Sequence, residues 1–195
     1  MASRADARRI VVGVTGASGT PLAARCLRML REIDGIEVHL VASEAARTTA
    51  AYEFDGPFED LTALADVCHD DAALDAPIAS GTFETGGMIV VPCSMKTAAG
   101  IASGYSDSLL LRAADVTVKE GRRLVLVARE APLSVIHLQN LTRLASLPGV
   151  SICPPVLSYY HRPESLEDME RHIVAKALQQ LGVDVEGFAR WGEAS

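Results

Sequence analysis

No two of the four cysteines, Cys26, Cys68, Cys93 and Cys153, form a C-x-x-C pair. Their scatter supports neither a zinc site nor a disulfide framework. With no apolar signal segment at the start, reduced thiols in a cytoplasmic protein are expected. No run of 18 apolar residues occurs, so no membrane-spanning helix is expected. Positive charge is scarce, 18 Lys and Arg against 25 Asp and Glu, for a formal net charge of -7. A sequence-independent nucleic-acid binder needs a basic face, and this balance argues against one. An anionic small ligand stays open, because a few donors gathered in one pocket suffice. Repeats, linkers and low-complexity stretches are missing too. With 49% hydrophobic residues in 195 positions, the chain suits one sizeable core, and a single domain over 1–195 is expected, residues 1–8 forming a disordered polar tail.

Short β-branched runs alternate with segments of helical periodicity. Strands are predicted at Arg9 to Val14, Glu37 to Ala42, Gly87 to Pro92, Arg123 to Ala128 and Val150 to Cys153. Helices are predicted at Thr20 to Glu32, Glu44 to Tyr52, Ser94 to Ser103, Leu109 to Lys119, Ser134 to Ser146 and Ser165 to Leu181. The stretch from Asp55 to Phe83 reads as less regular. Strands that are apolar throughout, such as Met88-Ile89-Val90-Val91, need helices on both faces. The expected fold is α/β: three layers around a doubly wound, mostly parallel sheet with right-handed crossovers.

Such sheets bind ligands beyond the carboxyl ends of their strands. Four segments fall there: Thr15-Gly16-Ala17-Ser18-Gly19, Ser43, Pro92-Cys93-Ser94-Met95-Lys96-Thr97 and Arg129-Glu130-Ala131-Pro132. The first meets neither the dinucleotide fingerprint nor the P-loop pattern. Its small residues let backbone N–H groups approach an anion at a helix N-terminus, though a plain tight turn would read the same. Ser94 is either a helix N-cap or a ligand contact. Arg129 and Glu130 are either an ion pair or crevice groups, and Glu130 is the acid expected to face the crevice from a strand end, suited to proton transfer if burial raises its pKa. Arg112, Lys119, Tyr160 and Lys176 are further candidates whose plainer reading is a solvated surface. His137 and His161 read as structural, and Trp191 as packing.

At these residues the sequence resembles the flavin prenyltransferases, the family of the UbiX and Pad enzymes. The resemblance runs from Arg9 to Trp191 through the first and third segments above, Ala79-Ser80-Gly81-Thr82-Phe83, Arg112-Ala113-Ala114-Asp115-Val116, Arg129-Glu130-Ala131-Pro132-Leu133, Tyr160-His161-Arg162-Pro163 and Arg190-Trp191-Gly192. It implies a Rossmann-like flavoprotein that joins a dimethylallyl group from dimethylallyl phosphate to N5 and C6 of reduced FMN without a metal. The product would be the prenylated FMN cofactor of UbiD-type decarboxylases. Carried over by position, Gly16, Ala17, Ser18, Ser43, Ser94, Met95, Lys96, Thr97 and Arg129 correspond to FMN contacts. Tyr160 and Lys176 correspond to prenyl-phosphate binders, and Arg112 and Lys119 to further groups around that phosphate. Glu130 with Ser18 would protonate the departing phosphate. The resemblance also implies a homo-oligomer, commonly a dodecamer, with sites at subunit interfaces to which Trp191 contributes.

Two positions depart from the family pattern: Thr20-Pro21 after the first glycine motif, where proline suits the first turn of a helix, and Gly121, where a basic residue is more usual. Two other readings stand beside the transferase. An FMN-dependent cysteine-type decarboxylase would show a Pro-Ala-Ser-Ala-Asn-Thr segment and an early histidine. A flavin-carrying small subunit of an arylic acid decarboxylase complex would bind FMN without turning it over.

Overall fold

The computed structural model describes residues 7–186 and Phe188. Six strands form one parallel sheet: β1 Arg8–Val14, β2 Ile36–Ala42, β3 Val67–Asp70, β4 Met88–Cys93, β5 Leu124–Ala128 and β6 Val150–Ile152. Their spatial order is β3-β2-β1-β4-β5-β6, and every pairing is parallel. The chain winds outward from β1 to β3, then returns to the centre at β4 and winds the other way. The switch point lies between β1 and β4, where this topology opens a crevice.

Alternation along each strand decides which layer it supports. Ile10, Val12, Val14, Ile89, Val91, Val125 and Val127 face one core. There they meet α1 (Thr20–Arg31) and α7 (Leu166–Gln180). Val11, Met88, Val90, Leu124 and Leu126 face the other, against α4 (Met95–Ser103), α5 (Leu109–Lys119) and α6 (Val135–Ala145). Each buried aliphatic side chain contributes about 1.5–3 kcal/mol. Helix starts follow the sequence signals: Ser43, Ser94, Ser108, Ser134 and Ser165 each accept a backbone N–H as N-cap, and Pro21 occupies the first turn of α1.

Two expectations need correction. The irregular stretch from Asp55 to Phe83 contains α3 (Phe58–Thr62), the edge strand β3 and a 3-10 turn at Pro77–Ala79. Four residues, Val67-Cys68-His69-Asp70, are too few and too polar to read as a strand. They form one because β2 offers an unpaired edge, with His39 Nδ1 3.0 Å from His69 Nε2 across the pair. The disordered tail does not extend to Arg8, which opens β1. Its guanidinium donates to the carbonyls of Gly86, Leu181 and Gly182, binding β1 to the end of α7. The seam to β4 is closed separately, by the backbone of Gly86 and Gly87. Trp191 and the Arg190-Trp191-Gly192 segment lie outside the described residues. Among the described residues no helix is long and apolar enough to cross a membrane.

Candidate active site

The β1–α1 and β4–α4 loops are tied together by a residue with no role in the sequence reading beyond its segment. Thr15 is 2% exposed. Its hydroxyl donates to Pro92 O at 2.7 Å and accepts from Ser94 N at 2.9 Å. One side chain thus sets the register of both loops at the switch point.

Two cavities flank the Thr15–Gly19 loop. The first, about 400 Å³, is lined by Gly16, Ser43, Ser94, Lys96, Thr97 and Asp71, among others. Here the N-termini of α2 (Glu44–Glu53) and α4 converge. First-turn N–H groups have no helical acceptor, and the two dipoles add positive potential beside Lys96. This donor set fits the phosphate or ring oxygens of FMN. Ser43 accepts from Ala46 N at 3.3 Å and Ser94 from Thr97 N at 3.2 Å, so both are N-caps that also line the cavity. Gly16 is required by proximity: a Cβ there would lie 2.5 Å from Ala45 Cβ.

The second cavity, about 590 Å³, has Ser18, Glu53, Arg129 and Glu170 as its charged and hydroxyl members and an aliphatic wall that includes Leu157, Met169 and Ile173. Glu53, at the end of α2, carries no signal of this role in its own stretch of sequence. Gly19, the N-cap of α1, offers no side chain, and Glu53 takes over that task, accepting from Gly19 N at 2.8 Å and Thr20 N at 2.9 Å. Partial burial pushes its pKa up, but hydrogen bonds from Ser18 and the two N–H groups outweigh this and hold it below the ordinary value. A depressed carboxylate pKa stabilises the fold above the unfolded value, and that contribution is lost as pH falls through the folded one. Glu53→Gln is therefore expected to cost about 1 kcal/mol at pH 7, allowing for solvent screening. Denaturant titrations should show the gap between wild type and variant closing as the pH drops below about 4.

Within one chain, the other expected site residues fall outside these cavities. Ala17 lies on the same loop but lines neither. The Met95 side chain is packed in the core, 7% exposed, which leaves its backbone N–H as its route to a ligand. Glu130 is exposed rather than buried and accepts from Ala131 N. Ser18 is brought to Glu53, and Asp71, just past β3, adds another acid to the crevice, so Glu130 is not the lone acid at a strand end. Tyr160 Oη lies 3.0 Å from His172 Nε2, and Lys176 donates to Gln179. The Tyr160 ring packs edge-on against His161 and His172, which with Phe188 line a separate cavity of about 360 Å³, and Lys176 lies one helical turn beyond His172.

Arg112 donates to Ala79 O and pairs with Asp115 at 2.7 Å. Lys119 pairs with Glu120. α5 begins at the crevice, where Leu109 N meets Asp71 O, and runs about 16 Å toward the opposite edge of the sheet. Lys119 ends at that far edge, so the structure does not bring it to Ser18 within one chain. His137 is structural, as expected: its Nδ1 accepts from Ser134 N in a capping box. Gly121 takes φ 66° with open space around it, a turn that favours glycine over a basic residue. Among the described residues, no group of three or more His, Cys, Asp or Glu could hold a metal ion.

Residues 2–178 match the family described as Flavoprotein. The chain is 50% identical over 184 residues to the flavin prenyltransferase LpdB of Lactiplantibacillus plantarum, covering 94% of this chain and 98% of the relative. Its fold superposes on the crystal structure of AnUbiX (PadA1) in complex with FMN and dimethylallyl pyrophosphate with a TM-score of 0.92 at 46% identity, covering 97% and 100% of the two chains. A dodecameric FMN-dependent UbiX-like decarboxylase from Escherichia coli O157:H7 superposes with a TM-score of 0.91 at 49% identity, covering 95% and 100%.

Proposed function

Because this chain belongs to the flavoprotein family, in its branch of UbiX-type flavin prenyltransferases, we infer that it transfers a dimethylallyl group to FMN. It binds FMN and is a prenyltransferase. The observation that carries the reading is the pair of cavities about one loop: a polar one ringed by helix N-termini and Lys96, and an aliphatic one that also holds Ser18, Glu53 and Arg129.

Reduced FMN, when bound, would supply N5 and C6 as the accepting atoms: C1 would join N5 as the C1–O bond breaks, phosphate leaves and N5 gives up its proton, and C3 would then join C6 at the expense of the C2=C3 double bond, C2 taking up a proton and C6 releasing one. Gly16, Ala17, Ser43, Ser94, Lys96, Thr97 and the Met95 N–H hold the flavin, with Arg129 on the side of the second cavity. Leu157, Met169 and Ile173 keep water from the allylic carbon as positive charge develops there. Tyr160 and Lys176 hold the prenyl phosphate and stabilise its negative charge as it departs. Glu130 carries a proton to the phosphate, and Ser18, oriented by Glu53, donates beside it. Arg112 and Lys119 reach the phosphate from a neighbouring copy; in their own chain they pair with Asp115 and Glu120. The apolar side chains Leu133, Val135, Ile136 and Leu138, 43–69% exposed along and before α6, support such an assembly, and a dodecamer is the form proposed. The four cysteines are free, which fits a reducing, cytoplasmic setting. Prenylated FMN would then pass to a UbiD-type decarboxylase.

The cysteine-type decarboxylase reading is weaker, since Pro92-Cys93-Ser94-Met95-Lys96-Thr97 departs from Pro-Ala-Ser-Ala-Asn-Thr and α1 carries no histidine. Anaerobic incubation with reduced FMN and dimethylallyl phosphate should add one dimethylallyl unit to the flavin mass. Tight flavin binding with no mass gain would make the chain a carrier instead.

A further inference from the structure

We propose that His172 is a positioning residue for the prenyl phosphate: its buried ring fixes the Tyr160 hydroxyl and, through it, the segment joining β6 to α7. The inference rests on the assignment of Tyr160 to that phosphate made above. Tyr160 sits in a stretch, 153–165, with sparse backbone hydrogen bonding. Cys153 N donates to Leu126 O, Val156 N to Pro154 O and Arg162 N to Tyr159 O, and Arg162 adopts φ 51°. Tyr160 is 42% exposed, its ring edge-on to His161 and His172.

His172 is held independently of that stretch. It is 8% exposed, on a helix whose Val174, Ala177 and Leu178 are 0% exposed. A Ser165–Asp168 capping box fixes the start of the helix, and Arg25 grips its Glu167 at 2.7 Å. The imidazole lies between two rings, His161 at 4.1 Å and 11° and Phe188 at 4.9 Å and 30°. It cannot turn without disturbing both. From that platform Nε2 meets Tyr160 Oη at 3.0 Å.

Burial first, then the nearby His161 and Lys176, lower the His172 pKa, which keeps the ring neutral near pH 7. In the tautomer protonated on Nε2 the ring donates to Oη and the phenol keeps its proton for the phosphate; in the other the phenol donates to the ring. Lys176 follows one helical turn later, so one face of α7 presents a cation beside a fixed phenol. That combination suits a phosphate monoester.

The test is steady-state kinetics with reduced FMN and dimethylallyl phosphate. His172→Phe keeps a stacking ring and removes the nitrogen. It is expected to raise KM for dimethylallyl phosphate about five- to tenfold, the loss of one hydrogen bond, with FMN affinity within twofold. His172→Gln, which keeps an N–H near Nε2, should restore most of the lost affinity. Tyr160→Phe should raise KM similarly, and adding it to His172→Phe should add nothing further. If the larger ring prevents folding, His172→Leu carries the same expectation. An unchanged KM in the His172 variants beside a raised KM in Tyr160→Phe overturns the role of His172. An unchanged KM in Tyr160→Phe overturns the assignment of Tyr160 itself.

Discussion

Glu130→Gln is expected to lower kcat by about 10²- to 10⁴-fold, the usual range for a lost proton-transfer group, with FMN affinity kept within twofold. The substitution preserves shape and the acceptor that meets Ala131 N at 3.0 Å, and removes only the ability to carry a proton. Glu130 directly follows Arg129, whose backbone N–H is fixed to Cys93 O at 3.1 Å, so its Cα is anchored even though its side chain is exposed in one chain. Single-turnover kinetics at saturating dimethylallyl phosphate read the effect directly. A wild-type rate would overturn the proton-transfer role of Glu130.

Gly16→Ala is expected to weaken FMN binding at least hundredfold. The added methyl would lie 2.5 Å from Ala45 Cβ and 3.0 Å from the Ala45 carbonyl carbon. Backbone on one side or the other must move, at about 1–3 kcal/mol in stability. The movement separates the Thr15–Gly19 loop from the α2 N-terminus, splitting the donor set of the first cavity. Gly35→Ala is the control. That residue has φ 79° with nothing within 4 Å, at the far edge of the sheet, so it should lose stability through backbone strain alone. Fluorescence titration of the flavin separates the two: an FMN affinity for Gly16→Ala equal to that of Gly35→Ala would contradict the close-approach argument.

The doubly wound fold was legible because its central strands are apolar on both faces, a pattern that only helices on both sides explain. β3 was not, since Val67-Cys68-His69-Asp70 carries no such pattern and becomes a strand only beside β2. With β3 went Asp71, which lies just past its end. In the site, Gly16, Ser43, Ser94, Lys96 and Thr97 were readable because loops at strand ends announce themselves by small residues and caps. Glu53 and His172 were not, because each acts through a contact distant in the chain: Glu53 caps α1 34 positions back at Gly19, and His172 meets Tyr160 across a helix start. Glu130 suited proton transfer on condition that burial raised its pKa, and in one chain its side chain is exposed. Arg112 and Lys119 correspond by resemblance to groups around the prenyl phosphate at sites between subunits, and within one chain Arg112 is held by Ala79 O and Asp115 and Lys119 by Glu120.

The central claim is that loops distant in sequence gather around FMN at the switch point between β1 and β4. A crystal structure of the protein with FMN tests it most directly. Ser94 and Ser18, from the two loops joined by Thr15, should each lie within about 3 Å of a flavin heteroatom, with Arg129 completing the contact. A flavin seated elsewhere, with those three side chains turned to solvent, would contradict it.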